Sequence, residues 1–257
     1  MELIEIVSGS TRARIAPERG SIAAGWSVEG RELFFMDEKS FQDRTKSVRG
    51  GNPFLWPFAG ALESNRLVEA DSEMKQHGFA RDRAWAVEAR GASTLVLSLE
   101  SDDAGLAVFP WAFRMVQTFE VSDRRLSISL VTENRSGRAM PVAPGWHPYY
   151  PLANASKPSV KVGLPGFRHT PFADPAGSFN FGVESNGTTA FVFELEDRRF
   201  RMAVSPNLQW YQFWSLPGND FICVEPFAGP PNVINTRRAE RIPAGGRALH
   251  WMTLELL

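Results

Sequence analysis

The sequence predicts an all-β, antiparallel fold, and three observations carry that prediction. Runs of strand length, rich in Val, Ile, Phe, Trp and Thr, recur along most of the chain and are parted by Gly, Pro, Asn and Asp. Within them apolar and polar residues alternate, as in Leu126-Ser127-Ile128-Ser129-Leu130, the pattern of a half-buried antiparallel strand. No window of helical length carries an apolar stripe at helical spacing. Together these point to a sandwich or barrel. A length of 257 residues suits one large β domain over 1–257, and no composition shift, clear repeat or low-complexity stretch divides it.

Taken in order, residues 2–8 alternate and predict a first strand, and 12–16 a second before the turn Pro17-Glu18-Arg19-Gly20. Residues 22–28 and 31–36 predict a hairpin about Glu29-Gly30, and the polar, basic stretch 37–50 a loop. Phe54-Leu55-Trp56-Pro57-Phe58 is too proline-bounded for a helix. Strands follow over 84–89, 94–99, 113–121 and 126–130, with a hairpin turn at Ser122-Asp123-Arg124. Residues 140–182, rich in Pro, Gly and Asn, mix loops with short strands. Strands over 189–194, 200–204, 208–215, 221–225 and 247–257 complete the chain. In Phe221–Glu225, Phe221, Cys223 and Glu225 share one face, and Ile222 and Val224 the other. Pro226 cannot donate to a ladder, so pairing is expected to fail there or to lie at an edge.

Composition excludes several classes. Net charge is −1 with acids and bases interspersed, which argues against a nucleic-acid partner. One cysteine, Cys223, precludes an intrachain disulfide, and no Cys/His pair has zinc-finger spacing. No apolar run approaches bilayer length, and the charged, strand-like start is not a secretory signal. A cytoplasmic, membrane-free protein is the expectation. Nucleotide-cradling glycine motifs, a Gly-x-Ser-x-Gly elbow and His-Glu-x-x-His are all missing.

The remaining chemistry sits in three stretches. Glu225 ends an apolar strand at the lip of a loop, where a fixed general base could stand. His147 lies in Pro144-Gly145-Trp146-His147-Pro148-Tyr149-Tyr150-Pro151. Pro148 drives it to extended geometry, and Trp146 and Tyr149 offer faces for a sugar ring. His77 lies in Gln76-His77-Gly78-Phe79-Ala80-Arg81-Asp82, where Gly78 admits a close neighbour and Arg81 supplies a fixed cation. An Arg81–Asp82 ion pair is the structural alternative there. His250 alternates within the last strand and reads as structural, and His169 as a surface loop residue.

These stretches resemble the aldose 1-epimerase, or galactose mutarotase-like, family. Arg49-Gly50-Gly51-Asn52-Pro53 through Trp56-Pro57-Phe58, then His77-Gly78-Phe79-Ala80-Arg81, resembles one block. Trp146-His147-Pro148-Tyr149-Tyr150 resembles a second and Val224-Glu225-Pro226 a third, in family order. The resemblance implies a β-supersandwich with a sugar cleft and cofactor-independent interconversion of α and β anomers. Glu225 would be general base, His147 general acid, and His77 a substrate-polarising imidazole. Both charges on Glu225 and His147 would favour each other, and the two would face each other across a cleft one sugar ring wide. Arg81, Arg49, Trp146 and Tyr149 would bind substrate. The family's Arg after the first block has no direct counterpart, since Gly60-Ala61-Leu62 stands there, and Arg66 is the nearest candidate. Its hydroxyl-gripping Asp would be Asp174 or Asp197, or be replaced by Asn180. Two alternatives accompany a free-hexose epimerase: a hexose-6-phosphate 1-epimerase using Arg49 and Arg81, and a non-catalytic carbohydrate-binding protein.

Overall fold

The computed structural model describes residues 2–165, 167 and 179–257. Its largest sheet has eight antiparallel strands. In spatial order they are Lys161–Val162, Ala190–Leu195, Arg198–Val204, Arg247–Leu256, Arg125–Asn134, Phe113–Ser122, Thr94–Glu100 and Ala86–Arg90. Alternation sets their facing: Leu126, Ile128 and Leu130 are buried, while Ser127 and Ser129 stand on the other face. A second sheet runs Phe179–Glu184, Trp210–Ser215, Phe221–Phe227, Gly145–Trp146 and Phe54–Leu55, with Tyr149–Pro151 also paired to Phe221–Phe227. Four strands over Ile4–Ser8, Thr11–Ala16, Ile22–Val28 and Arg31–Glu32 make a third sheet.

The core joins these layers. Tyr150 of the second sheet meets Phe193 and Phe200 of the first at ring-centroid distances of 5.2 and 5.1 Å. Trp26 of the third reaches Phe200 at 6.2 Å. Such ring pairs add specific geometry to the burial of large apolar surfaces.

Three expectations change. Residues 37–50 are not all loop: Asp37 caps a short helix, Glu38–Gln42, by accepting from Lys39 N–H. A second short helix, Asp103–Val108, is capped by Asp102. Both are too short to print an apolar stripe. Pro226 does not stop its strand, which pairs through Phe227 on both flanks. Tyr211 stays opposite Pro226 on one flank. His250 is fully buried and its Nε2 lies 2.9 Å from Glu240 Oε2, in keeping with a structural role. His169 and Asp174 lie outside the described residues. Among the described residues no helix is long and apolar enough to cross a membrane.

Candidate active site

Strand register assembles the site. Phe221–Phe227 pairs Cys223 with Tyr149 and Phe227 with Gly145 on one flank. The same antiparallel register sets His147 opposite Glu225, although Pro148 breaks the ladder between the two short strands. On the other flank Gln212 opposes Glu225, and Trp214 opposes Cys223. One strand further, Asn180 opposes Trp214. Residues opposed across a ladder project from one face. That face therefore carries Gln212, Glu225 and His147 in one row, and Asn180, Trp214 and Tyr149 in the next. All six line a cleft of about 970 Å³. The opposite face sends Tyr150, Ile222, Val224 and Phe213 into the core.

The same alternation corrects the placement of Trp146. It neighbours His147 in sequence and so points the other way, fully buried against Phe54 at 5.7 Å. Tyr149 stays in the cleft, stacked on the His147 ring at 4.7 Å.

His77 enters from a second wall. Its φ is +70° and that of Gly78 +67°, an uncommon left-handed pair. A Cβ on Gly78 would collide with the Trp56 backbone, so glycine is required there. The turn is held by His77 N–H to Gly60 O at 2.9 Å and by Gly60 N–H to His77 Nδ1 at 3.0 Å. Nδ1 accepts, so Nε2 carries the ring hydrogen. The Gln76 side-chain nitrogen lies 3.1 Å from Nε2. The His77 and His147 rings stand 5.6 Å apart.

Arg49 and Arg81 line the cleft, joined by Lys39 and Lys46, which the sequence reading missed. Arg81 donates to Gln76 O at 3.1 Å, and its buried Nε has no partner among the described residues. Asp82 pairs with Lys75 at 2.5 Å, and the alternative Arg81–Asp82 bridge is not formed. Arg66 is corrected: it pairs with Asp71 on an exposed ribbon, after Ser64 and Asn65 at positive φ turn the chain away from the cleft. Gly60 and Ala61 line the cleft without offering a cation. Asp197 is corrected too, forked onto Arg31 at 2.6 and 2.7 Å on the surface. Asn180 takes the cleft position and accepts from Gln212 Nε2 at 2.6 Å; Trp210 Nε1 donates to Gln212 Oε1 at 2.9 Å. The signal for Gln212 was present, as the one polar residue in Trp210-Tyr211-Gln212-Phe213-Trp214.

Glu225 and His147 touch, with Oε2 and Nε2 3.4 Å apart, so no ring-wide gap separates them. Their electrostatics also differ from the expectation of mutual charge stabilisation. Glu225 is 1% exposed, and burial pushes its carboxyl well above the usual range. Burial, aided by the Arg81 cation, lowers His147 to about 3. His77 is likewise held well below an ordinary imidazole, by burial and then by His147 and Arg81. Desolvation thus outweighs the attraction between the partners. Burial opposes the charged form of each partner, and the two titrate as one coupled pair. Cys223 brings a thiol into the same neighbourhood: its sulfur, a His147 nitrogen and a Glu225 oxygen lie within 4.8 Å of one another. Burial and then Glu225 push that thiol well up, which keeps it protonated.

Comparisons with known proteins place the fold and the sequence in one family. The family model "Aldose 1-epimerase" matches residues 2–189. The protein Slr1438 from Synechocystis sp. PCC 6803 superposes with a TM-score of 0.91 at 25% identity, covering 99% of this chain and 95% of that one. A protein described as "putative aldose 1-epimerase" from Escherichia coli K12 superposes at 0.81 with 19% identity, covering 100% and 99%, and so shares the fold. Salmonella typhimurium has a protein named "Putative glucose-6-phosphate 1-epimerase" that is 25% identical over 212 residues. The match takes in 80% of this chain and 64% of that relative's length. The chain belongs to the aldose 1-epimerase family.

Proposed function

We propose that the protein is an aldose 1-epimerase in which Glu225 and His147 exchange protons with the hemiacetal of a hexose. The observation that carries this is the 3.4 Å contact between the two side chains on the floor of a sugar-sized cleft. The two oxygens that must change protons, the C1 hydroxyl and the ring oxygen, are both bonded to C1. Adjacent groups therefore serve this reaction better than groups parted by a whole ring. The pair holds one proton, so one member donates while the other accepts. Substrate hydroxyls hydrogen-bond the carboxylate and draw the proton onto His147. Glu225 then takes the C1 hydroxyl proton, His147 protonates the ring oxygen, the bond from C1 to that oxygen breaks, and an aldehyde forms. Rotation about C1–C2 presents the other face, and closure returns both protons. His77 donates from Nε2 to a substrate oxygen, and Tyr149 and Trp214 supply apolar surface.

A second reading, that the hexose carries a phosphate, is favoured by the cations. Among the described residues Lys39, Arg49 and Arg81 line the cleft without a carboxylate within ion-pair distance, and Arg81 Nε is buried unpartnered. A neutral sugar needs no such cluster, whereas Arg matches phosphate oxygens in a fork. The similarity to the Salmonella relative supports the same reading. Saturation-exchange NMR between anomers of glucose, galactose and glucose 6-phosphate tests all of this. Exchange faster than the buffer rate on at least one sugar is expected. Binding without exchange would instead make the chain a carbohydrate-binding protein.

A further inference from the structure

The cleft has a wall that no ladder supports. Residues 39–48 supply Lys39, Ser40, Lys46, Ser47 and Val48 to its lining, and most of the segment is exposed. Phe41 packs it onto Ala16, Ile22 and Ala24, and a single buried guanidinium from the same region gathers its backbone carbonyls. Arg19 is 5% exposed. Its Nε donates to Phe41 O at 3.3 Å, and its terminal nitrogen lies 3.1 Å from Ser40 O, 2.9 Å from Asp43 O and 2.6 Å from Lys46 O. Four carbonyls thus converge on one side chain, with no carboxylate in ion-pair reach among the described residues. A buried charge is tolerated only when its donors are satisfied, and here the satisfying groups are the wall's own backbone.

The turn that carries Arg19 also abuts the opposite wall. Pro17–Arg19 is a short 3₁₀ turn ended by Gly20 at φ +74°. A Cβ on Gly20 would overlap the Arg81 backbone. Gly20 N–H bonds to Arg83 O and Trp85 N–H to Pro17 O, both at 3.0 Å. One turn therefore sets the wall bearing Lys39 and Lys46 against the wall bearing His77 and Arg81.

We propose that Arg19 is a positioning residue, which fixes the 39–48 wall against the Arg81 wall so that the cleft's cations converge on one substrate group. The inference about substrate rests on the epimerase reading, whereas the inference about the wall does not. The floor pair Glu225–His147 is built by sheet register and does not depend on Arg19. Loss of the clamp should therefore weaken binding and spare the chemistry.

Arg19→Met removes every donor at little change in length, and Arg19→Lys keeps the charge with a point donor in place of the fork. Glu18→Gln is the control, because Glu18 joins the same two segments through an exposed ion pair with Arg44. In Arg19→Met, amide hydrogen exchange over 39–48 should accelerate about tenfold or more while the strand Phe221–Phe227 stays protected. KM for the sugar that the protein turns over should rise about tenfold with kcat within about twofold. Arg19→Lys should fall between, and Glu18→Gln should match the parent. If Arg19→Met does not fold, the Arg19→Lys exchange pattern decides. Unchanged exchange over 39–48, or a loss confined to kcat, overturns the proposal. Accelerated exchange in a protein that exchanges no sugar anomers leaves the clamp standing and overturns the epimerase reading instead.

Discussion

Replacing Glu225 by Gln separates chemistry from structure, because the geometry predicts opposite effects on each. Gln keeps the volume and the hydrogen-bonding length but cannot take the C1 hydroxyl proton. A positioned acid or base contributes about 10²–10⁴ in rate, or about 3–5 kcal/mol of barrier. Enzymatic anomer exchange should fall by that factor. Stability should move little, or upward. Glu225 is buried, one of its oxygens has no partner among the described residues, and burial already favours its neutral form. An amide is neutral at every pH and so avoids the proton uptake that burial imposes on the carboxyl above its unfolded pKa. A gain of ~1 kcal/mol would raise the melting temperature by about 2–4 °C in a chain of this size. Saturation-exchange NMR gives the rate and calorimetry the melting point. Parent-like exchange would refute the catalytic role. A large fall in melting temperature alongside lost exchange would show that the carboxylate holds the fold, and the reasoning from burial would be wrong.

Further outcomes follow from the same site. The one-proton state of the Glu225–His147 pair should persist from about pH 3, where His147 charges, up to the raised Glu225 value; ordinary groups would confine it to about 4.5–6.5. The pH profile of kcat/KM should accordingly stay flat across that narrower range and beyond it on both sides, and limbs near its two ends would contradict the burial argument. For stability the pair cancels between about pH 4.5 and 6.5, because the folded and unfolded chains each hold one proton on it. His77 is not cancelled: its lowered pKa means the unfolded chain binds the extra proton, so stability should fall on acidification below about pH 6.5, with a slope that approaches about 1.4 kcal/mol per pH unit at most. Denaturant titrations of His77→Gln should lose that slope, and an unchanged slope would place its origin elsewhere. Arg49→Met should raise KM for glucose 6-phosphate by about 10–100-fold, the worth of a hydrogen bond to a charged group, and leave free glucose nearly unaffected; equal effects on both sugars would rule out a phosphate contact.

Much of the site was legible because two of its parts obey rules of period two. Alternation in Phe221–Phe227 aims Glu225 with Cys223, and the antiparallel ladder then selects His147 as the facing residue. The same rule, carried one residue further, would have excluded Trp146 from the cleft, since neighbours on a strand point apart. Its misplacement came from reading the aromatic cluster as a loop, when Gly145–Trp146 is a short strand interrupted only at Pro148. Pro226 misled as well. Its strand nevertheless keeps Tyr211 opposite Pro226 on one flank and pairs at Phe227 on both, so the one missing N–H is tolerated.

The parts that stayed illegible depend on distance in sequence and on competing energies. Arg66 and Arg49 look equivalent in the chain, but two residues at positive φ carry one to the surface, and only the backbone path shows it. The protonation of the pair was misjudged because attraction between neighbours is visible from a motif, whereas desolvation depends on everything packed around it. At Glu225 and His147 burial opposes both charges, so in the proposed mechanism the charged form that opens the ring is reached only once substrate hydroxyls hydrogen-bond the carboxylate. A permanent pair of charges would be held in its resting state by its own attraction. A pair that shares one proton and is charged only by substrate contact can pass that proton either way, so the same two groups serve ring opening and ring closure.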